Sequence, residues 1–348
     1  MAFYNNKVAI AYINRNKLYL FRTANNEIIM DYYNENEKNI QDIIAKDAID
    51  EFDILVDEEE VYLIYQDKKY NLNIITINDG KTSKISLTNE PMPRLYELNM
   101  FKSGDDISII YLTLQSENER IFRIHHHLLQ SDQWVNYDVD STRIGKILNP
   151  LKLIIDEDRV LLGYYYLNQI CIKEFNFQTK EWSETHILTD NNEKLYIDMI
   201  KKDNYIHLVY SEFLNGNLVI KYSRYAYDSY SLVKDKEELL SNESNPGNPT
   251  LIIHNNVLWV VWNESLGLYS RYSKDDGLSW SPIYFWKESK VIDFVRYKYE
   301  DNESSENIKF DYSFGTLYPD IKFLGFGALE NVQEIEVKKK NTLKFPRF

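Results

Sequence analysis

Val61-Tyr62-Leu63-Ile64-Tyr65 is an apolar run that ends on an aromatic ring and is entered through the acidic turn Asp57-Glu58-Glu59-Glu60. The same construction recurs as Val8–Tyr12, Ile107–Tyr111, Val160–Tyr164, Ile206–Tyr210 and Leu258–Trp262, with a weaker copy at Ile308–Tyr312. The aromatic ends stand at Tyr12, Tyr65, Tyr111, Tyr164, Tyr210, Trp262 and Tyr312, so the intervals are 53, 46, 53, 46, 52 and 50 residues. Chance does not give such a period. Between paired apolar runs lie Gly104-Asp105-Asp106, Asp156-Glu157-Asp158, Asp203-Asn204 and Asn255-Asn256. Asp, Asn and Gly accept the backbone angles of tight hairpin turns. Acidic clusters can also hold metal ions, but recurrence at one place in a repeat is what a structural turn predicts.

A third strand follows each aromatic, as in Leu18–Arg22, Ile121–Ile124, Leu218–Tyr222 and Leu268–Tyr272, and a less apolar fourth, as in Trp134–Val139 and Trp182–Leu188. Four antiparallel strands in about 50 residues, repeated around an axis, make a propeller blade. The sequence therefore predicts an all-β chain forming one domain over residues 1–348, a seven-bladed β-propeller of four-stranded antiparallel blades. Six blades plus a C-terminal extension is the alternative, because the seventh copy is the least regular. The best helix candidate is the short stretch Glu37–Ile49. The first copy lacks a strand before Val8, and Val332–Val337 offers spare strand material. Pairing of N- and C-terminal strands is thus expected to close the ring and remove an exposed sheet edge.

Composition supports sheet and narrows the partners. The chain of 348 residues has 28 Tyr, 16 Phe and 6 Trp against 8 Pro and 11 Gly, a bias that suits pleated, half-buried surfaces. Its 40 basic and 54 acidic side chains leave a net charge of −14, and Lys338–Lys340 is the one short basic run. Nucleic acid is a poor partner for such a surface, because phosphates need cationic neutralisation. An anionic membrane is disfavoured likewise, and no apolar run approaches the ~18 residues of a membrane-inserting helix. The single Cys171 allows neither an internal disulfide nor a cysteine metal cage. Met1–Leu20 shows no charged segment followed by an apolar one, so the address defaults to the cytoplasm. Trimming from an exported, cell-surface parent would leave the same sequence.

One copy carries Ser273-Lys274-Asp275-Asp276-Gly277-Leu278-Ser279-Trp280 between its third and fourth strands. This resembles the Asp-box, or BNR, repeat of sialidase-like β-propellers, Ser-x-Asp-x-Gly-x-Thr-Trp, with Ser for Thr. A degenerate version runs from Tyr222 to Ser231, and Thr179–Trp182 and Ser131–Trp134 keep only the tryptophan. The box is a folding device: Asp275 accepts turn N–H groups, Gly277 supplies a positive φ, and Trp280 packs between strands. The resemblance implies Ser273, Asp275, Gly277 and Trp280 as structural residues and carries no catalytic assignment. A sialidase would need three arginines converging on a carboxylate, a Tyr–Glu nucleophile pair and an acid/base Asp. Arg22, Arg123, Arg224, Arg271 and Arg296 are candidates, but the first four share one place late in the third strand. They look like a feature of the repeat. The family's Phe/Tyr-Arg-Ile-Pro motif finds only Phe122-Arg123-Ile124-His125, without the proline.

Sites follow from the ring geometry. Eight residues before each second strand stand Asp53, Asn99, Lys152, Asp198 and Thr250, with Asp293 as the counterpart in the seventh copy. If these positions line the central channel, they form a mostly acidic ring for water, a cation or a hydroxylated ligand. The competing reading, that they tie adjacent blades by hydrogen bonds, is the stronger, because buried polar groups need partners. His125-His126-His127 offers at most two ligands on one strand face, a poor metal site. Trp134, Trp182, Trp280 and Trp286 could form platforms for sugar rings or a protein partner. These features predict a non-catalytic module that recognises a glycan or a protein and needs no cofactor or metal. A sialidase-like glycoside hydrolase is the second reading.

Overall fold

The computed structural model describes residues 7–35, 39–130, 133–145, 148–156, 158–228, 231–265, 267–301, 307–318 and 320–337. Lys338–Lys340 lies outside them. The described strands sort into six sheets, numbered first to sixth in the order in which the chain enters them, from Val8–Asn14 in the first to Gly247–His254 in the sixth. Three are simple four-stranded meanders: Ala48–Asp57 to Lys81–Ser86, Leu95–Ser103 to Gln133–Arg143, and Lys194–Lys202 to Ser231–Leu239. A further sheet begins at Leu151–Ile155 and ends in the short strands Glu181–Trp182 and His186–Ile187. The innermost strands touch their neighbours in chain order, and Val295–Asp301 returns against Ala48–Asp57. The sheets therefore stand around one axis as a β-propeller. Among the described residues no helix is long and apolar enough to cross a membrane.

The expected seventh sheet is absent from the described strands, and the reason lies in its pairing. Ile308–Lys309 bonds to Ile253 and His254 in the sixth sheet, whereas Tyr312–Thr316 joins the first sheet through Val295–Asp301. Val295–Asp301 itself runs parallel to Val8–Asn14, with Ala9 opposite Lys298 and Tyr12 opposite Asp301. The C-terminal copy is thus divided between its two neighbours, and Tyr312 leaves the aromatic series. Val332–Ile335, the spare strand, pairs instead with Ile283–Trp286 at the outer edge of the sixth sheet. Nor is Glu37–Ile49 helical where described. Ile40–Ala45 is the outer strand of the first sheet, since β-branched Ile40 and Ile43 suit a pleat better than a helix.

The period of aromatics has a packing cause. Tyr65, Tyr111, Tyr164, Tyr210 and Trp262 are all buried near the ends of second strands. Each fills the wedge between sheets that diverge from the axis, and burying such a ring contributes roughly 1.5–3 kcal/mol. The hairpin turns carry the acidic clusters, with Glu58, Asp203, Asn255 and Asn256 at positive φ. Their carboxylates face lysines of neighbouring sheets: Lys102 to Asp57 and Lys180 to Asp106, both at 2.6 Å, and Lys201 to Asp156. These turns are inter-sheet struts.

The Ser273–Trp280 turn is closed by its own side chains. Gly277 N–H donates to Ser273 Oγ at 2.7 Å, and Ser279 N–H donates to Asp275 Oδ1 at 2.9 Å. The Ser279 hydroxyl and N–H, with the Ser273 hydroxyl, hold the Asp275 carboxyl down at about 2. The turn is clamped to the fifth sheet, where Arg224 Nη1 donates to Asp276 O at 2.8 Å and Trp280 meets the edge of Tyr222. Gly277 has φ +84°, and a Cβ there would lie 1.8 Å from Tyr222 Oη. Gly277→Ala should therefore destabilise the fold by about 2–3 kcal/mol, through strain and steric conflict together. Urea denaturation, with circular dichroism as readout, measures it.

Candidate functional site: the central channel

The inner strands enclose a cavity of about 670 Å³ along the axis. Its wall is polar because alternate side chains of each inner strand point inward while the others pack between sheets. Val295–Asp301 shows this most clearly: Arg296, Lys298 and Glu300 line the channel, and Tyr297 between them is fully buried.

Asp53, Asn99, Lys152 and Asp198 line the cavity. Asp53 Oδ2 accepts the Met100 N–H at 2.8 Å, and Asp198 Oδ2 accepts the Leu251 N–H at 2.8 Å. Met100 and Leu251 follow Asn99 and Thr250, the counterparts of these aspartates in the next copies, so the two bonds are one interaction repeated. At both places it joins an inner strand to the next. Thr250 stands behind the wall, fully buried, where its Oγ1 accepts Arg296 Nε–H at 3.1 Å. Asp293 lies elsewhere, in a separate cavity beside Thr316, Tyr318 and Lys322. Extrapolation by period fails there because the seventh copy forms no sheet of its own.

The ring is not mostly acidic. Lys298 Nζ donates to Asp53 Oδ1 and Oδ2 at 2.8 and 2.9 Å and to the Ile54 carbonyl at 3.2 Å. It also lies 3.0 Å from Glu300. Lys152 Nζ lies 3.0 Å from Asp198 Oδ1 and 2.5 Å from Asp311 Oδ2. Burial works against both ammonium groups, but the adjoining carboxylates outweigh it and hold them charged, above the usual lysine range. Among the described residues no cluster of three or more His, Cys, Asp or Glu could hold a metal ion.

Two channel groups escape the repeat arithmetic. Arg296 lies over the Tyr312 ring, 4.0 Å from its centre, and burial lowers its pKa despite Asp198, Tyr312 and Glu97 nearby. Glu97 sits on the bulge of Leu95–Ser103 at φ +51°, a conformation disfavoured for a side chain of this size. Tyr196 and Asn248 take the same left-handed geometry two residues before Asp198 and Thr250. Burial first, then the Glu51 carboxylate, push the Glu97 carboxyl up to about 7, against the pull of Lys7 and Arg296. Its offset of two residues before Asn99 was a usable signal; its titration was not.

The other arginines belong to the repeat. Arg22 pairs with Asp31, Arg123 with Asp138 and Arg224 with Asp235, each across the third and fourth strands. Arg271 donates to the Ser281 and Trp280 carbonyls. Among the described channel-lining residues Arg296 is the one arginine. The histidines also have local partners. His127 Nε2 bonds Tyr111 Oη at 2.6 Å, His125 Nε2 bonds Thr113 Oγ1 at 2.8 Å, and His126 turns to the other face against Ser108. Burial lowers all three pKa values, that of His126 to about 3. Trp286 is buried on Ser270, and Trp182 and Trp280 pack into the core, which leaves Trp134 exposed.

No protein-family model and no curated protein sequence matches the chain. Among solved structures it is similar to a prolyl endopeptidase, with 11% identity and a TM-score of 0.51 over 94% of this chain and 49% of that one. It is also similar to an Aleuria aurantia lectin in complex with Fucα1-6GlcNAc, at 12% identity, TM-score 0.48, over 81% and 95% of the two chains. A GH43 endo-arabinanase from Bacillus licheniformis aligns at 16% identity, TM-score 0.40, over 69% and 95%. At such identities likeness speaks to fold alone.

Two stability experiments follow from the channel. Lys298→Met strands the buried Asp53 charge and should cost roughly 3–5 kcal/mol, with Asp53→Asn in the same chain recovering a substantial part. Paired chemical denaturation curves test this. Glu97 keeps its proton to about 7 when folded, against 4.5 for the ordinary carboxyl, so it removes stability as pH rises between those values. Glu97→Gln should therefore raise the melting temperature by a few degrees at pH 8 and leave it unchanged at pH 4.

Proposed function

We propose that the chain is a non-catalytic recognition propeller that binds carbohydrate in its central channel. The observation that carries this reading is the composition of the wall. Hydrogen-bonding groups of both signs converge there beside the rings of Tyr299, Phe310 and Tyr312. A sugar offers hydroxyl edges to such groups and C–H faces to such rings. The volume of about 670 Å³ suits one or two pyranose units and falls within the usual ~300–1,000 Å³ of small-ligand sites.

Catalysis has weaker support. Glycoside hydrolysis needs two available carboxylates flanking the bond, whereas Asp53 and Asp198 are both held by a lysine and a backbone N–H. The second reading, a sialidase-like hydrolase of the Asp-box kind, draws on the Ser273–Trp280 turn. It lacks a converging arginine cluster among the described channel residues.

A glycan array read beside a fluorogenic sialoside assay tests the proposal. Binding without turnover is expected, and the binding should weaken at least about tenfold on Tyr312→Ala, since the change removes a wall contact and the ring on which Arg296 rests. Turnover that Glu97→Gln abolishes, or an array with no bound glycan, overturns it.

A further inference from the structure

Lys152 and Lys298, the buried lysines among the described channel residues, each have a carboxylate: Asp198 lies 3.0 Å from Lys152 and Asp53 2.8 Å from Lys298. Arg296 differs. Among the described residues its Nε–H meets Thr250 Oγ1, its face rests on Tyr312, and its two terminal nitrogens have no hydrogen-bond or ion-pair partner. Of the carboxylates that act on it, Asp198 and Asp311 are already engaged by Lys152. Glu97 is the complementary exception, a channel carboxyl with no hydrogen bond or ion pair to its side chain among the described residues. Arg296 and Glu97 both line the cavity, and they do not pair with each other.

An open guanidinium fork is the group best matched to a planar carboxylate, which it can bind through two parallel N–H···O bonds. We infer that the channel takes a sugar acid, a pyranose bearing one carboxylate, with that carboxylate on Arg296 Nη1 and Nη2 and a ring hydroxyl or carboxylate oxygen against Glu97. This rests on the carbohydrate reading and narrows it. A single negative charge fits because Lys152 and Lys298, the buried lysines of the wall, are already matched by carboxylates, which leaves the Arg296 fork to take it.

The pair also sets a pH response. Glu97 is faced by Glu51 on its neighbouring sheet, by Lys7 and by Arg296, and it holds its proton up to about 7. Protonated, it donates a hydrogen bond to the ligand; ionised, it repels the ligand's charge. Affinity for the acid should therefore fall as pH rises through about 7, although the ligand's own carboxylate is ionised throughout.

Isothermal titration with glucuronate and galacturonate, their methyl esters, and glucose and galactose separates the outcomes. The uronates should bind at least tenfold tighter than their esters at pH 6, and that preference should narrow at pH 8. Arg296→Lys keeps a charge but not the fork and should lose about tenfold for uronates, on the order of one charge-assisted hydrogen bond, a larger loss than for glucose or galactose. Glu97→Gln should flatten the pH profile. Thermal melts establish that both variants are folded. Neutral sugars binding as well as uronates, or uronate affinity indifferent to Arg296→Lys, overturns the inference and leaves the carbohydrate reading standing. Binding of neither class defeats both.

Discussion

A ring of sheets radiating from an axis packs well at its waist and poorly at its centre, where inner strands approach edge to edge without bonding along their length. Something must satisfy the backbone groups that face the next sheet. Asp53 to Met100 N–H and Asp198 to Leu251 N–H do this twice at matching places. A carboxylate used so far from water must itself be neutralised, and this requirement brings lysines into the channel. The buried ion pairs are weak evidence of stabilisation in themselves, since desolvation offsets much of their attraction. Their effect is geometric: they fix which residues face inward and where the unmatched groups are left.

Farther from the axis the same chemistry recurs with less at stake. Lys102–Asp57, Lys180–Asp106 and Lys17–Asp79 join neighbouring sheets through hairpin turns close to solvent. Exposed pairs of this kind contribute about 0–1 kcal/mol each. The wedge-filling rings Tyr65, Tyr164, Tyr210 and Trp262 supply most of the cohesion, and the struts set the angular spacing. The Ser273–Trp280 turn combines both roles, with Trp280 against Tyr222 and Asp276 O accepting from Arg224.

Much of this architecture is readable in the sequence, because a period near 50 residues and a two-residue alternation are both local signals. Counting back from Val61 and Ile206 finds Asp53 and Asp198, whose carboxylates each accept a backbone N–H of the next inner strand. The same count misplaces Asp293, because it assumes that every copy is an antiparallel sheet, and Val295–Asp301 enters a parallel pairing with Val8–Asn14 instead. Arg296, Lys298 and Glu300 alternate with Tyr297 and Tyr299 in plain view, yet only the closed ring shows that the charged face meets Asp53 rather than solvent. Glu97 is the least legible. Its residue type is ordinary, and its character comes from burial and from Glu51, Lys7 and Arg296, which arrive from distant parts of the chain.

The strand Val295–Asp301 has a bearing on how the protein is made. Val8–Asn14 leaves the ribosome before the other described strands, but the partner for its inner side is translated nearly three hundred residues later, and Lys298 meets Asp53 across a sequence separation of 245. Until then the nascent propeller is an open arc with an unsatisfied β-edge at Val8–Asn14, the kind of surface that recruits other strands. Completion is a single late step of high contact order. Moving the termini into the Asn255-Asn256 turn, so that both partners are internal to the chain, would exchange that wait for an earlier one and make the opening arc a different set of sheets.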